Sequence, residues 1–382
     1  MSDNPLKKLG SLGQSVWLDY IRRDLISSGG LRQLIEDDGL RGMTSNPAIF
    51  EKAISGSNDY DDDIRAMSAG GNNSKEIYDA ISVQDVRDAA SVFRPVYAIS
   101  SVLDGYVSLE VNPHLAHNTQ GTIEEARRLW QKLDLPNVCI KVPATLEGLP
   151  AIRQLISEGI NINVTLIFGL PRYRQVAEAF IAGMEDRCSQ DKPLRHVASV
   201  ASFFLSRIDT LIDPLLDKII QQNDANAVLA VKLQGQVAVA SAKAAYQIYK
   251  ELYFGERFQK LMEKGALPQR LLWASTGTKN PQYSDVKYID SIIAPNTVNT
   301  IPVETLEAYR DHGRPAIRIE EDIDQVMDVF KSLEELGINI DQVTQQLEDD
   351  GVEKFNKPFD SLLQTIERKA AEANLQKDVK KT

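Results

Sequence analysis

Cysteine is nearly absent: Cys139 and Cys188 are the two in 382 residues. Two are too few for a disulfide framework, and they have no metal-binding spacing, so a reducing compartment is expected. On a strand Cys139 would face the same way as Lys141, as a small buried filler. Histidine is almost as scarce, with His114, His117, His196 and His312. The spacing in PHLAH, His114 and His117, could clip a metal, but no third ligand stands at a workable distance, which leaves two solvated loop histidines. The chain has no Walker loop, no GxGxxG after a strand and no GxSxG elbow. No metal and no built-in organic cofactor are therefore expected. Long hydrophobic runs are missing too. The longest apolar region, 225–248, is interrupted by Lys232, Gln234, Gln236 and Lys243. It reads as an amphipathic or buried helix rather than a membrane span. The first residues, MSDNPLKKLG, lack the apolar core and cleavage-like site of a secretory signal, so the expected location is cytoplasmic. Positive charge is outweighed: 43 Lys and Arg face 54 Asp and Glu, for a net charge of −11. With no stripe of aromatic and basic residues, this argues against a nucleic-acid partner. A small anion could still bind through a few local cations.

What is present is ordinary globular composition, 43% hydrophobic and 25% charged, with enough chain for one large barrel or two domains. Eight short β-branched or apolar runs recur: 15–21 (SVWLDYI), 42–46 (GMTSN), 106–111 (YVSLEV), 137–142 (NVCIKV), 161–168 (NINVTLIF), 196–203 (HVASVASF), 270–276 (RLLWAST) and 291–297 (SIIAPNT). Helical patterns lie between most of them, for example over 123–133, 147–158, 171–187 and 206–222. Strands alternating with helices imply a parallel sheet, and eight such units point to a closed (β/α)8 TIM barrel. The spacing is uneven. About sixty residues separate the second and third runs, and a long helical stretch, 225–265, precedes the seventh. These predict extra helices on a single barrel domain spanning 1–382. The region 304–382 is helical in pattern, with breakers at Gly313-Arg314-Pro315 and Gly337; it is expected to pack on the barrel, and its charged end, LQKDVKKT, to fray.

Side chains alternate along a strand, so in a barrel one parity faces the helices and the other the axis. In the fourth run Val138, Ile140 and Val142 oppose Cys139 and Lys141. In the third, Val107, Leu109 and Val111 oppose Ser108 and Glu110. In the first, Val16 and Leu18 oppose Trp17 and Asp19, and in the fifth, Ile162, Val164 and Leu166 oppose Asn163 and Thr165. In the sixth, Ser202 shares parity with Ala198 and Val200. The face opposite the apolar one thus carries Asp, Glu, Lys, Asn, Thr and Ser, mostly late in each strand, where barrel active sites form. An amine with two carboxylates in one pocket can do definite chemistry. A lysine in a dry pocket attacks carbonyls to form a Schiff base, which acts as an electron sink. A carboxylic acid assists loss of water, and a carboxylate takes a hydroxyl proton so that a carbon–carbon bond can break. Lys141, Glu110 and Asp19 supply these parts. Glu110 and Lys141 could instead form a buried ion pair without reactive role.

Five stretches, DYIRRDLISSGGLRQLIEDDGLRGMTSNPAIFEKAI, VSLEVNP, NVCIKVPAT, GININVTLIFG and LLWASTGTKNP, together resemble the transaldolases, most closely the longer bacterial type. The resemblance runs over nearly the whole chain. It implies a cofactor-free barrel enzyme of the non-oxidative pentose phosphate pathway. Such an enzyme moves a dihydroxyacetone unit from sedoheptulose 7-phosphate or fructose 6-phosphate to erythrose 4-phosphate or glyceraldehyde 3-phosphate. Carried onto matching positions, it makes Lys141 the Schiff-base lysine, Asp19 the base for the C4 hydroxyl, Glu110 the proton-transfer group and Thr165 the holder of its water. Asn46, Asn163 and Ser202 hold hydroxyls, and Arg207 binds the phosphate. For the second phosphate ligand, the loop after the seventh strand offers Ser275, the Gly277 backbone and Lys279, where shorter family members carry an arginine. Two rivals stand beside this: a Schiff-base aldolase releasing free dihydroxyacetone, and an inactive barrel scaffold. The expected partners are sugar phosphates, with no nucleic acid and no membrane; a homo-oligomer stays open.

Overall fold

Eight parallel strands close into a barrel in the computed structural model, which describes residues 4–223 and 225–379. They are β1 (Gln14–Asp19), β2 (Gly42–Thr44), β3 (Tyr106–Glu110), β4 (Val138–Pro143), β5 (Ile162–Ile167), β6 (Ser199–Phe204), β7 (Arg270–Ala274) and β8 (Thr297–Ile301). Each pairs with its neighbour in order, and β8 returns to β1 through Trp17 opposite Thr300 and Leu18 opposite Ile301. This is the expected (β/α)8 architecture. Val138, Ile140 and Val142 are fully buried against the surrounding helices. That is the outward parity read from the sequence.

The strand expected over 291–297 does not exist. Residues 287–291 form the short helix Lys287–Ser291, and β8 begins at Thr297. Ile292, Ile293 and Ala294 are fully buried as a connection. Asn296 takes a left-handed backbone, φ 59°, that ends it. Burial alone made the run apolar, while the true strand, TVNTI, is half polar and gave a weaker signal. In β6, residues 196–198 precede the strand rather than belong to it. The region 225–265 is three helices, Ala225–Leu233, Val237–Tyr253 and Glu256–Met262. The first break falls at Gly235, whose φ of 66° suits glycine. No helix among the described residues is long and apolar enough to cross a membrane.

In β5 the alternation breaks. The register against β6 shifts between Val164 and Ile167, and Leu166 has φ 63°. The bulge turns Leu166 away from the parity expected for it and sets it beneath the C-terminal helix, Ile340–Val379, where a Cβ on Gly351 would lie 3.1 Å from its Cδ2. Beyond 313–322, which is mostly non-helical, the tail forms Val326–Glu335 and this long helix. The helix packs against Pro47–Ser55 and Asp61–Ala69. The expected fraying of LQKDVKKT concerns residues that lie partly outside those described.

At the N-terminal end the barrel is filled. Trp17 lies across β2, where a Cβ on Gly42 would come within 2.5 Å of the indole, so only glycine fits. Tyr106 and Cys139 pack there too, and the Cys139 thiol is pushed far up by burial, as suits a filler. The C-terminal end stays open.

Candidate active site

Lys141 stands on β4 with Glu110 of β3 and Asn163 of β5 as its lateral neighbours. Register alone therefore sets carboxylate, amine and amide side by side. The amine donates to the Glu110 carboxylate at 3.1 Å and to the Ser45 carbonyl at 2.9 Å. The pair is buried, with 5% and 4% of the side chains exposed. Burial pushes the Glu110 carboxyl above the usual carboxylate range, against the pull of the Lys141 charge. A carboxyl raised in this way holds and returns a proton more readily than an exposed glutamate.

A cavity of about 1110 Å³ opens above this layer at the C-terminal strand ends. Asp19, at the end of β1, lines it and accepts a hydrogen bond from Thr44 Oγ1 at 2.7 Å. Thr44 in turn lies 2.7 Å from Thr300 Oγ1. Burial raises the Asp19 pKa, while Lys141, the Thr44 hydrogen bond, Arg207 and Lys279 pull it down. Thr165 lines the cavity, and its buried hydroxyl has no partner among the described residues. An orphaned buried hydroxyl in the cavity that Lys141 also lines fits a water or substrate oxygen. One layer deeper, Asn163 donates to Ser108 Oγ at 3.1 Å and accepts from Ser202 Oγ at 2.7 Å.

Arg207 opens the helix Ser206–Gln221, just past β6. Its guanidinium lies over the Phe204 ring, 5.3 Å from the centroid, and its buried Nη1 has no partner among the described residues. Burial lowers its pKa. A half-buried guanidinium with an unpartnered Nη1, lining a cavity, has the donors to take a doubly accepting anion. Ser275, in left-handed backbone, links to Ser206 through their hydroxyls at 2.8 Å, and exposed Lys279 stands on the rim.

Of the residues singled out from sequence, Asp19, Asn46, Lys141, Thr165, Ser202, Arg207, Ser275 and Lys279 line the one cavity. Glu110 meets it only through Lys141, and Asn163 lies beneath it. The Asn46 side-chain oxygen caps the helix Pro47–Ser55 by accepting from Ile49 N at 3.0 Å. Its amide nitrogen is left for a ligand. His114 and His117 pair separately with Asp360 and Glu147, and no group of three potential metal ligands occurs among the described residues. Sequence reasoning missed Thr44, Thr300, the Ser45 carbonyl and Phe355. Thr300 was hidden by the misplaced eighth strand. Phe355 comes from the C-terminal helix, 5.4 Å from the Lys141 amine to the ring centroid, and nothing local in the sequence marks it.

The model of the transaldolase/fructose-6-phosphate aldolase family matches residues 16–366. A transaldolase of Trichodesmium erythraeum (strain IMS101) is 47% identical over 373 residues, 97% of this chain and 98% of that protein. A protein named transaldolase 2 from Nostoc sp. (strain PCC 7120) is 47% identical over 374 residues, with the same shares covered. A transaldolase of Saccharopolyspora erythraea is 43% identical over 373 residues, 97% of this chain and 99% of that protein.

Proposed function

The chain belongs to the transaldolase/fructose-6-phosphate aldolase family, and we propose that it carries out transaldolase chemistry through a Schiff base on Lys141. The donor is sedoheptulose 7-phosphate or fructose 6-phosphate, and the acceptor is erythrose 4-phosphate or glyceraldehyde 3-phosphate. Lys141 Nζ bonds to the ketose carbonyl carbon. The carbonyl oxygen leaves as water with two of the ammonium protons, and the iminium keeps the third. Glu110 moves these protons through a water that Thr165 holds. Asp19 then takes the C4 hydroxyl proton and the C3–C4 bond breaks; its electron pair flows into the iminium, and the aldose leaves. The enamine that remains attacks the acceptor aldehyde, and the same groups run in reverse to hydrolyse the new imine. Asn46, Asn163 and Ser202 orient the three-carbon unit, and Arg207, Ser275 and Lys279 hold the phosphate.

One observation carries this reading: a buried amine, 3.1 Å from a buried carboxylate, lines the cavity that Asp19 and Arg207 also line. The contacts of the long helix with Pro47–Ser55 and Asp61–Ala69 support one barrel domain over 1–382, with 304–382 packed on it. Two unpaired cysteines support a cytoplasmic location. Borohydride reduction after incubation with fructose 6-phosphate tests the mechanism. A three-carbon adduct on Lys141 is expected in the peptide map; no adduct, or one on another lysine, overturns it.

A further inference from the structure

Phe355 belongs to a helix that arrives from the far end of the chain, yet it lines the catalytic cavity and turns its ring face to the Lys141 amine. It is buried, at 5% exposure. The helix is held on both sides of it. Before it, Arg172 grips Glu348 with two bonds, at 2.8 and 3.2 Å, between side chains themselves only 9% and 7% exposed. After it, Lys369 donates to Asp61 at 2.6 Å and to the Ser57 carbonyl at 2.9 Å. Between these clasps the helix rests on Leu166, the residue that the β5 bulge turns upward. The ring is therefore fixed in place by paired charges and by packing.

We propose that Phe355 is a positioning residue for the Schiff-base step, covering the Lys141 amine with an apolar π face so that the iminium is favoured over the free ammonium. The inference rests on the Schiff-base reading. The physical argument is a difference between two cations. An ammonium has three N–H donors, and the fold satisfies two of them, through Glu110 and Ser45. Its third has no acceptor among the described residues and depends on water from the cavity, and Phe355 closes one side of the amine to that water. The iminium keeps a single N–H and spreads its charge over carbon, so it loses less when water is excluded. The ring quadrupole attracts either cation. Replacing water by the ring thus moves the balance toward the imine, and the C-terminal helix becomes part of the active site.

The test compares Phe355→Ala, Phe355→Leu and Phe355→Tyr in the full-length protein, reading the rate of borohydride labelling of Lys141 with fructose 6-phosphate alongside kcat and KM. Phe355→Ala is expected to label about tenfold more slowly and Phe355→Leu, smaller than the ring and so readmitting water beside the amine, about threefold more slowly, with Phe355→Tyr, which keeps the ring, within about twofold of the parent. The loss appears in kcat, while KM for the phosphorylated donor holds. Should the alanine variant fold poorly, the leucine and tyrosine pair decides. Labelling unchanged in the leucine variant, whatever its Tm, overturns the proposal and leaves Phe355 as packing. A parent protein that labels nowhere overturns the Schiff-base reading instead, so the two failures are distinct.

Discussion

The two ends of the barrel each hold an ion pair, largely buried at one end and fully so at the other, and they differ in what the pair leaves over. At the N-terminal end Arg270 meets Asp104 at 2.9 Å, and at the C-terminal end Lys141 meets Glu110 at 3.1 Å. Arg270 also donates to Ser15 Oγ and the Leu103 carbonyl, and Asp104 accepts from Ser15 and Trp17. The void beside it is about 60 Å³, against about 1110 Å³ above Lys141. An arginine cannot deprotonate and its fork is occupied, whereas a lysine amine can lose a proton, and Lys141 lines open space that Phe355 closes on one side only. A buried pair is thus no sign of catalysis in itself. Unfilled space and unfilled hydrogen-bonding capacity mark the working end.

The sharpest way to break this comparison is Lys141→Ala. Turnover is expected to fall by about four orders of magnitude or more, since the proposed nucleophile is gone. The fold persists, because Glu110, already pushed toward its neutral form, takes up a proton when its partner disappears. A variant that retained near-parent rate would make the C-terminal pair as structural as the N-terminal one. Arg207→Ala comes next. Losing the proposed charge-assisted grip on phosphate should raise KM for phosphorylated donors by roughly ten- to a hundredfold. KM for unphosphorylated fructose should move little. An equal rise for both sugars would place the phosphate elsewhere in the cavity.

How far this asymmetry was legible beforehand depends on the residue. Strand parity grouped Asp19, Lys141, Thr165 and Ser202, because alternation is a local property that survives folding, and these four do line one cavity. Parity could not give depth, so Asn163 and Glu110 were grouped with them although neither lines it. It failed at Leu166, where a bulge cannot be read from apolar residues, and at Thr300, where a buried connection was more hydrophobic than the strand after it. Phe355 and Ser45 act through contacts between segments far apart in the chain, and no local pattern encodes those. The plug was as hidden: Arg270 begins β7, but its carboxylate partner Asp104 lies in the turn before β3.

That plug supplies the next test. Arg270→Met leaves Asp104 buried without its partner and should cost about 3 kcal/mol, a fall of several degrees in Tm. Below the transition kcat should stay within about twofold of the parent, since the residue is at the stability end of the barrel. A large drop in kcat with little change in Tm would invert the assignment of the two ends.

The smallest effect separates the ends by pH. The Asp19 carboxyl is raised in the folded protein by burial. Between the ordinary carboxylate value, about 3.9, and that raised value, the folded state holds a proton that the unfolded chain has released. Stability therefore falls as pH climbs through the window, and the whole penalty remains above it. Asp19→Asn removes the penalty. It should raise Tm by about a degree or two at pH 8 and make no difference once both states are protonated in acid. It should also sharply reduce turnover, since the proposed base is lost. Asp104→Asn weakens the Arg270 pair and should lower Tm at pH 8. Calorimetry of the two variants at pH 8 should thus give shifts of opposite sign. A fall in both would mean that Asp19 is held as an ion stabilising the fold, like its counterpart at the plugged end, rather than kept strained for proton transfer.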